Sequence, residues 1–281
     1  MYIGIKILIG IGILIGMVII WFVIPYSPLE HSFNKLVDDE IKTLLGEEEH
    51  VFTEERVQHL PEPIQKHLKL CGYMGKPIMK YTKVFCTRTA FGMGKNRPNL
   101  TIDYHYYNFT KRLKRYAYIK SQMFGIPFEG LDKYENRTGS MKGVIGKVFT
   151  LFDSRGDEMN QAALVTLLGE AVITPSWFLD ERLDFQVISE NEVKVTIQDG
   201  EIKGEGIYCF DKDGFITSLT TNDRYMDDGT GNPIRTPWTA EVSNYIQQGE
   251  YRLPTQVKAT WHCKEEDYVY FNCDNVKITN F

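Results

Sequence analysis

The chain opens with an unbroken apolar run, whereas most of its remaining length alternates between apolar and polar positions. No charged residue occurs in residues 7–25, and about 20 apolar residues suffice for a helix that crosses a membrane. Trp21, Phe22 and Tyr26 stand at the distal end of the run, where aromatic side chains lie at a membrane–water boundary. The pattern therefore predicts a transmembrane helix within residues 1–27.

A cleaved secretory signal is the alternative interpretation of this run. Such signals usually have an apolar region of about 7–15 residues that ends at small residues, but residues 25–32 offer no such cleavage site. Lys6 precedes the run, and Glu30 and Asp38 follow it. The positive-inside tendency then predicts a single-pass signal anchor in the cell membrane, with a cytoplasmic N-terminus and an extracytoplasmic C-terminal domain.

Residues 28–76 are predicted to form a helical linker region. Apolar residues recur at helical spacing from Phe33 to Leu45, and Gly46 ends the stretch. A short amphipathic helix is predicted after Pro63.

Residues 77–281 change to a period of two, which is typical of strands. Turn signals separate about eleven candidate strands, and two helical segments interrupt them at residues 157–168 and 175–179. So long an antiparallel meander must curl. The predicted fold is mainly β, a β-rich α+β domain in which a curved antiparallel sheet or half-barrel holds a few helices and encloses an apolar groove. The predicted strands are residues 78–91, 99–109, 115–123, 126–134, 138–151, 183–189, 193–198, 201–210, 216–225, 238–247 and 252–261, the last leading into 268–278.

Composition excludes some classes of function. The net charge is -5, and a nucleic-acid-binding protein is expected to carry a basic excess, so no nucleic acid is expected as a partner. The sequence contains no GxSxG, HExxH, P-loop or GxGxxG motif. We therefore expect no metal and no cofactor, and no catalytic residue can be assigned.

The five cysteines have no zinc-site spacing. They are interpreted as small buried hydrophobic residues. The alternative is one disulfide in an exported domain, for which Cys263 and Cys273 are the nearest pair.

Two acidic segments resemble calcium loops. Residues 211–214 lack the glutamate that an EF-hand needs and are predicted to be a hairpin turn. Residues 227–232 are predicted to be a solvated loop, with a weak calcium site as the alternative.

The most polar candidate site lies where a strand leads into the helix at residue 157. Asp153, Arg155 and Glu158 are interpreted as a helix cap with an ion pair. Alternatively, Arg155 and Glu158 form the polar rim of a ligand pocket, with Arg155 binding an anionic head group. Aromatic residues that pack in the core, or that line an apolar cavity as a set, are Trp177, Phe178, Tyr225, Trp238, Tyr245 and Trp261.

Several short motifs together resemble a bacterial, membrane-anchored family of unknown function, across roughly residues 55–280. At the level of fold, the strand pattern is similar to the lipoprotein-carrier (Lol-type) half-barrels, which implies a curved sheet that shelters acyl chains. The motifs that carry the family resemblance are Leu60-Pro61-Glu62-Pro63, Asp153-x-Arg155-Gly156-x-Glu158, the Trp177 segment, Phe210-Asp211-x-Asp213-Gly214, Asp223-Arg224-Tyr225, Thr236-Pro237-Trp238, and Pro254-Thr255 before Trp261.

These observations lead to one functional hypothesis and two alternatives. The first is an extracytoplasmic domain that binds a lipid or other amphipathic ligand in an apolar groove. The second is a protein-docking or envelope-signalling module, and the third is an envelope hydrolase that uses Asp153 and Glu158. The predicted ligand-binding residues of the first hypothesis are Arg155, Glu158, Trp177, Phe178, Arg224, Tyr225, Trp238 and Trp261.

Overall fold

A computed structural model describes residues 2–94, 99–227 and 232–281. It confirms a mainly β fold with one N-terminal apolar helix, a large curved antiparallel sheet and a few helices. The helices are α1 (Tyr2–Val23), α2 (Pro28–Thr43), α3 (Glu54–Val57), α4 (Glu62–Leu70) and α5 (Asp157–Glu170), with a 3-10 turn at Pro175–Leu179.

The strands follow one another mostly through short hairpins. In chain order they are β1 (Tyr81–Phe91), β2 (Leu100–Phe109), β3 (Lys114–Met123), β4 (Ile126–Glu135), β5 (Thr138–Ile145), β6 (Phe149–Ser154), β7 (Leu183–Ser189), β8 (Glu192–Asp199), β9 (Ile202–Phe210), β10 (Ile216–Thr221), β11 (Tyr225–Asp227), β12 (Pro233–Arg235), β13 (Trp238–Gln248), β14 (Tyr251–His262), β15 (Asp267–Cys273) and β16 (Val276–Asn280).

Fourteen of the strands that the structure describes form one sheet in the order β6-β5-β4-β3-β2-β1-β15-β14-β13-β10-β9-β8-β7, with β16 paired to β1. Helix α5 packs against β4 and β5 on one wing and against β8, β9 and β10 on the other. Two wings far apart in strand order therefore meet the same helix, so the sheet curls around α5. The outer strands β6 and β7 do not pair with each other among the described residues, and the sheet stays open.

Two glycines let α5 approach both wings closely. A methyl group at Gly139 on β5 would lie 2.4 Å from the carbonyl oxygen of Met159. On the opposite wing, a methyl group at Gly204 on β9 would lie 2.3 Å from Cγ2 of Val165. Both contacts are closer than real Cβ atoms allow, so α5 fits because these positions have no side chain.

The other face of β3 and β4 is covered by α2. Phe33 of α2 is buried and stacks on Tyr118 with a ring-centroid distance of 5.5 Å. Tyr116 and Tyr118 face α2, whereas Arg115 and Ala117 alternate to the α5 side, as the period of a strand requires. The sheet therefore has an inner face that holds α5 and an outer face that carries α2.

The region at residues 28–76 contributes to both faces. Besides α2 on the outer face, α4 places Ile64 and Leu68 in the main core. His67, also in α4, is fully buried and accepts a hydrogen bond from the Ile216 backbone N–H at 3.1 Å through Nδ1. Burial lowers its pKa from 6.5 to about 3, against smaller opposing effects of Asp211 and the Gly214 backbone.

Several predicted strand boundaries were wrong. The predicted strand at residues 138–151 is two strands, β5 and β6, because Gly146 and Lys147 have φ angles of 61° and 68° and reverse the chain. The predicted strand at 216–225 ends at Thr221. The hairpin of β11 and β12 was missed, since its strands are short and lie outside the main sheet.

We expect Gly139→Ala to lower the free energy of unfolding by about 1–3 kcal/mol, the range for an overpacked core. The added methyl group meets a backbone oxygen that cannot move without displacing α5. Gly204→Ala is the matched comparison and is expected to cost less, because its close contact is with one side-chain methyl group of Val165 and not with the backbone of α5. Denaturant unfolding of the full chain in detergent measures both; equal costs would contradict the argument.

We expect the stability of the protein to fall as pH decreases from 6.5 toward 3. The unfolded state binds a proton on His67 in this window and the folded state does not, so the slope from this residue is up to about 1.4 kcal/mol per pH unit. His67→Gln should remove that slope, whereas His59→Gln, at an exposed position, should keep it. Unfolding free energies measured from about pH 4.5 to about pH 7 test this; parallel curves for the wild type and His67→Gln would contradict it.

Candidate functional site

The end of α1 is fixed to the turn between β5 and β6. Trp21 donates a hydrogen bond from Nε1 to the Gly146 carbonyl oxygen at 3.0 Å. In return, Lys147 donates from Nζ to the carbonyl oxygens of Trp21 at 3.0 Å and Ile24 at 2.6 Å. A cation that binds the free carbonyls at a helix C-terminus also complements the helix dipole. These contacts join the apolar helix to the sheet.

A cavity of about 680 Å³ opens beside this junction, and we call it the junction cavity. The end of α1 and the residues after it form its apolar side, the first turn of α2 closes one wall, and the outer face of β1 to β4 forms its polar floor. Its lining residues are Phe22, Val23, Ile24, Pro25, Ser27, Glu30, Arg88, Asn99, Leu100, Thr101, Ile102, Asp103, Lys120, Ser121, Gln122, Pro127, Glu129 and Lys147.

The wall formed by α2 is held by a buried carboxylate. Glu129 accepts hydrogen bonds from Ser27 Oγ at 2.6 Å and from Tyr118 OH at 2.7 Å. Ser27 is also the N-cap of α2 and accepts the Leu29 backbone N–H at 3.2 Å. Burial and the hydrogen bond to Glu129 raise the pKa of Tyr118, so its hydroxyl stays a donor. This network sets the position of α2 relative to the floor.

Charges of both signs line the junction cavity. Lys120 forms an ion pair with Glu30 at 3.4 Å, and both side chains are partly exposed. The Arg88 backbone N–H donates to Asp103 Oδ1 at 3.0 Å, where the chain bulges between Cys86 and Thr89. The cavity therefore combines an apolar side with both cationic and anionic groups. None of the predicted ligand-binding residues lines it.

Four of the predicted residues lie together on the inner face beside α5. The Arg224 guanidinium lies 4.3 Å from the Trp238 ring centroid and 5.6 Å from that of Trp261. Arg224 also donates to Thr166 Oγ1 at 2.7 Å, and Tyr225 donates from its hydroxyl to Gln161 Oε1 at 2.8 Å. The Nε atom of Arg224 is buried and has no hydrogen-bond partner among the described residues. A ligand-binding role for this set stays a prediction.

Trp177 and Phe178 lie in the main core. Trp177 donates from Nε1 to the Phe109 carbonyl oxygen at 3.3 Å, and Phe178 packs edge to face on Tyr208. Both are buried. Tyr245, the remaining aromatic residue considered from the sequence, is part of the same core and donates to the Ile216 carbonyl oxygen at 2.8 Å.

Arg155 and Glu158 are exposed at the start of α5. Arg155 forms a bidentate ion pair with Asp153, from Nε to Oδ1 at 2.8 Å and from Nη2 to Oδ2 at 3.3 Å. This pair raises the pKa of the Arg155 guanidinium. Gly156 takes the N-cap position. The arrangement corresponds to the ion-pair interpretation at this junction, and both carboxylates of the hydrolase alternative, Asp153 and Glu158, face solvent.

A buried ion cluster on the inner face was missed by the sequence analysis. Arg115 donates from Nε to both carboxylate oxygens of Glu170, at 3.0 and 2.8 Å, and from Nη1 to Asp132 at 2.7 Å. Its Nη2 contacts the Tyr104 hydroxyl. Burial raises the pKa of Glu170, and Arg115 opposes this shift. The alternation of β3, which places Arg115 with Ala117 on the α5 side, is the signal that could have identified it.

The alternative of a disulfide between Cys263 and Cys273 is not formed in the structure. Cys263 Sγ lies 3.9 Å from Met226 Sδ. Cys273 instead contacts Cys86 across the paired strands, and this hydrogen bond lowers the pKa of the Cys273 thiol to about 6. All five thiols are free.

The acidic turns show no cation site within the described residues, where no group of three or more potential metal ligands occurs. Asp211 accepts the backbone N–H groups of Asp213, Gly214 and Phe215 through Oδ1, as a hairpin turn requires. Most of the segment at residues 227–232 lies outside the described residues.

We expect Arg115→Met to lower the free energy of unfolding by about 3–5 kcal/mol at neutral pH, the usual cost of an unpaired buried charge. The loss should shrink as pH falls, because protonation of Glu170 removes the uncompensated charge and its pKa is already raised. Arg115→Met combined with Glu170→Gln should recover part of the loss. Denaturant unfolding at several pH values tests this, and a loss that does not depend on pH would contradict it.

Comparisons with known proteins identify a family. Among solved structures, the chain is similar to a LolA superfamily protein from Nitrosomonas europaea, with 10% identity, a TM-score of 0.40, and coverage of 78% of this chain and 93% of that one. No curated protein sequence matches. Residues 50–273 match a family described as a family of unknown function, DUF6544, in agreement with the resemblance seen in the sequence motifs. The chain therefore belongs to the DUF6544 family.

Proposed function

We propose that the protein is a membrane-anchored, extracytoplasmic domain that binds a lipid or other amphipathic molecule, and that the junction cavity is the binding site. The observation that carries this proposal is the position of the cavity directly beside the end of the apolar helix. An amphipathic molecule at a membrane surface has an apolar part in the bilayer and a polar part in water. The two sides of the cavity offer both environments at one place.

The anchoring half of the proposal rests on α1. Among the described residues, one helical segment is long and apolar enough to cross a membrane, and α1 is its apolar part. Its 22 residues have no buried side chain, and a helix of that length spans about 33 Å, enough for the hydrocarbon core. An exposed apolar surface of this size requires an apolar solvent. Lys6 before the run and the acidic residues after it support a cytoplasmic N-terminus.

The charges of the cavity favour a zwitterionic head group. Lys120 and Arg88 offer cationic side chains to a phosphate, and Glu30 and Asp103 offer carboxylates to an ammonium group. A purely anionic ligand would lie beside the carboxylates of Glu30 and Asp103 as well as beside the cations, and the carboxylates would repel it. The presence of both cationic and anionic side chains therefore favours a zwitterionic phospholipid over an anionic one. The volume of the junction cavity is also in the range that small ligands occupy.

We expect the full chain, extracted from membranes in polymer-bounded discs and transferred to detergent, to retain one phospholipid per protein in native mass spectrometry. Thr101→Trp places a large side chain on the floor of the junction cavity and should reduce retention by about tenfold or more, a loss of at least about 1.4 kcal/mol of binding. Ser243→Trp, at an exposed position on β13, is the matched control and should retain the lipid.

The head group of the retained lipid is read from the same spectra. A zwitterionic lipid supports the charge argument. An empty wild-type protein, or equal retention in the two tryptophan variants, would overturn the proposal, and a co-purifying protein in place of a lipid would favour the docking-module alternative.

A further inference from the structure

Exposed apolar side chains are concentrated at two turns on one side of the sheet. Phe124, in the turn between β3 and β4, is 90% exposed, and Phe149, which begins β6, is 70% exposed. Val148, in the turn before β6, is also exposed. We call Phe124, Val148 and Phe149 the apolar rim. Clustered exposed apolar residues of this size mark an interaction surface.

The apolar rim is continuous with the end of α1. A methyl group at Gly146 would lie 3.4 Å from the Phe22 ring and 3.8 Å from the Phe149 ring, so both rings flank the same glycine. The Gly146 N–H donates to the Pro127 carbonyl oxygen at 2.8 Å, which brings the β5–β6 turn beside the start of β4 and hence beside the turn that carries Phe124. The rim therefore lies at the level where the apolar helix ends.

The backbone at Phe124 supports a role outside the fold. Phe124 has a φ angle of 52° and Gly125 one of 78°, and two consecutive positive φ angles are typical of a type I′ hairpin turn. Asparagine and glycine adopt this conformation readily, whereas a phenylalanine there is disfavoured. Because the ring is almost fully exposed, it gains no packing within the domain. The position is unfavourable for the fold alone.

One half-exposed cation, Lys120, precedes the rim along β3. Lys147 lies in the same turn as Val148 and binds the end of α1. Lys120 is half exposed on β3, the strand that leads to Phe124. The half-exposed Lys120 side chain can reach a lipid phosphate beside the rim, whereas Lys147 is buried and its ammonium is bound to the end of α1.

We propose that the apolar rim inserts into the outer leaflet of the same membrane that holds α1, as a second contact between the domain and the bilayer. The proposal rests on the anchoring half of the proposed function and not on a ligand in the junction cavity. The partner is a phospholipid bilayer surface. Insertion at two turns beside the helix fixes the tilt of the domain and directs the opening of the junction cavity toward the membrane boundary.

The test uses the full chain in liposomes that contain brominated phosphatidylcholine, which quenches tryptophan fluorescence only inside the bilayer. Phe124→Trp adds a fifth tryptophan to the four of the natural chain. The emission added relative to the wild type should be blue-shifted, quenched by the brominated lipid and protected from acrylamide in the water. Val187→Trp, at a position 54% exposed on β7, the edge strand at the other end of the strand order from β6, is the matched control and should show the opposite behaviour.

A second variant separates membrane contact from folding. Phe124→Asn suits the positive φ angle, so denaturant unfolding should show an unchanged or higher midpoint. The tryptophan fluorescence added by Phe149→Trp should be quenched less by the brominated lipid when Phe124→Asn is also present than when it is absent, because one of the two insertion points is lost.

Emission of Phe124→Trp that is quenched by acrylamide and indifferent to brominated lipid would overturn the proposal. This outcome is distinguishable from failure of the proposed function. Loss of anchoring appears as protein that does not float with the liposomes, and an empty junction cavity appears only in the mass spectra.

Discussion

The packing of α5 between the two wings of the sheet is the contact on which the rest of the structure depends. The wings do not pair through their edge strands among the described residues, so their curvature is maintained by what they both touch. Gly139 and Gly204 let the helix approach each wing, and the Tyr134 hydroxyl donates to Asp199 at 2.8 Å from one wing to the other. Since α5 and the aromatic residues beneath it occupy the inner face, the junction cavity lies on the outer face.

The two faces consequently serve different purposes. On the inner face, Arg115 donates hydrogen bonds to both Glu170 and Asp132 in a site from which water is largely removed. The cluster therefore holds β3, β4 and α5 in one arrangement. The outer face carries α2, the end of α1 and the junction cavity. Glu129 holds the start of α2 to the sheet, and Lys147 holds the end of α1. A ligand on the outer face reaches its site without any disturbance of the core.

The general architecture follows from sequence pattern alone, because a long apolar run and a strand period of two are local signals. The turn within residues 138–151 could not be predicted in this way. Lys147 adopts a left-handed backbone conformation there, and a lysine side chain gives no sequence signal for that conformation. The candidate site was harder to predict. The junction cavity is formed by residues from α1, α2 and four strands, and only the three-dimensional pairing brings Lys120 near Glu30. The tryptophans were predicted as ligand-binding residues because their side chains are large and apolar. A large apolar side chain packs equally well in a core, so the residue type alone does not separate the two roles.

The short connection between α1 and α2 has a consequence for transport. Only residues 24–27 separate the two helices, and about four extended residues reach roughly 14 Å. With α1 in a membrane, the domain cannot cross an aqueous compartment with a cargo. A domain anchored in this way would meet its partners in the plane of its own bilayer, where lateral diffusion and surface density set the rate of encounter. A molecule that it bound would have to be supplied within that plane or delivered to it by a soluble carrier.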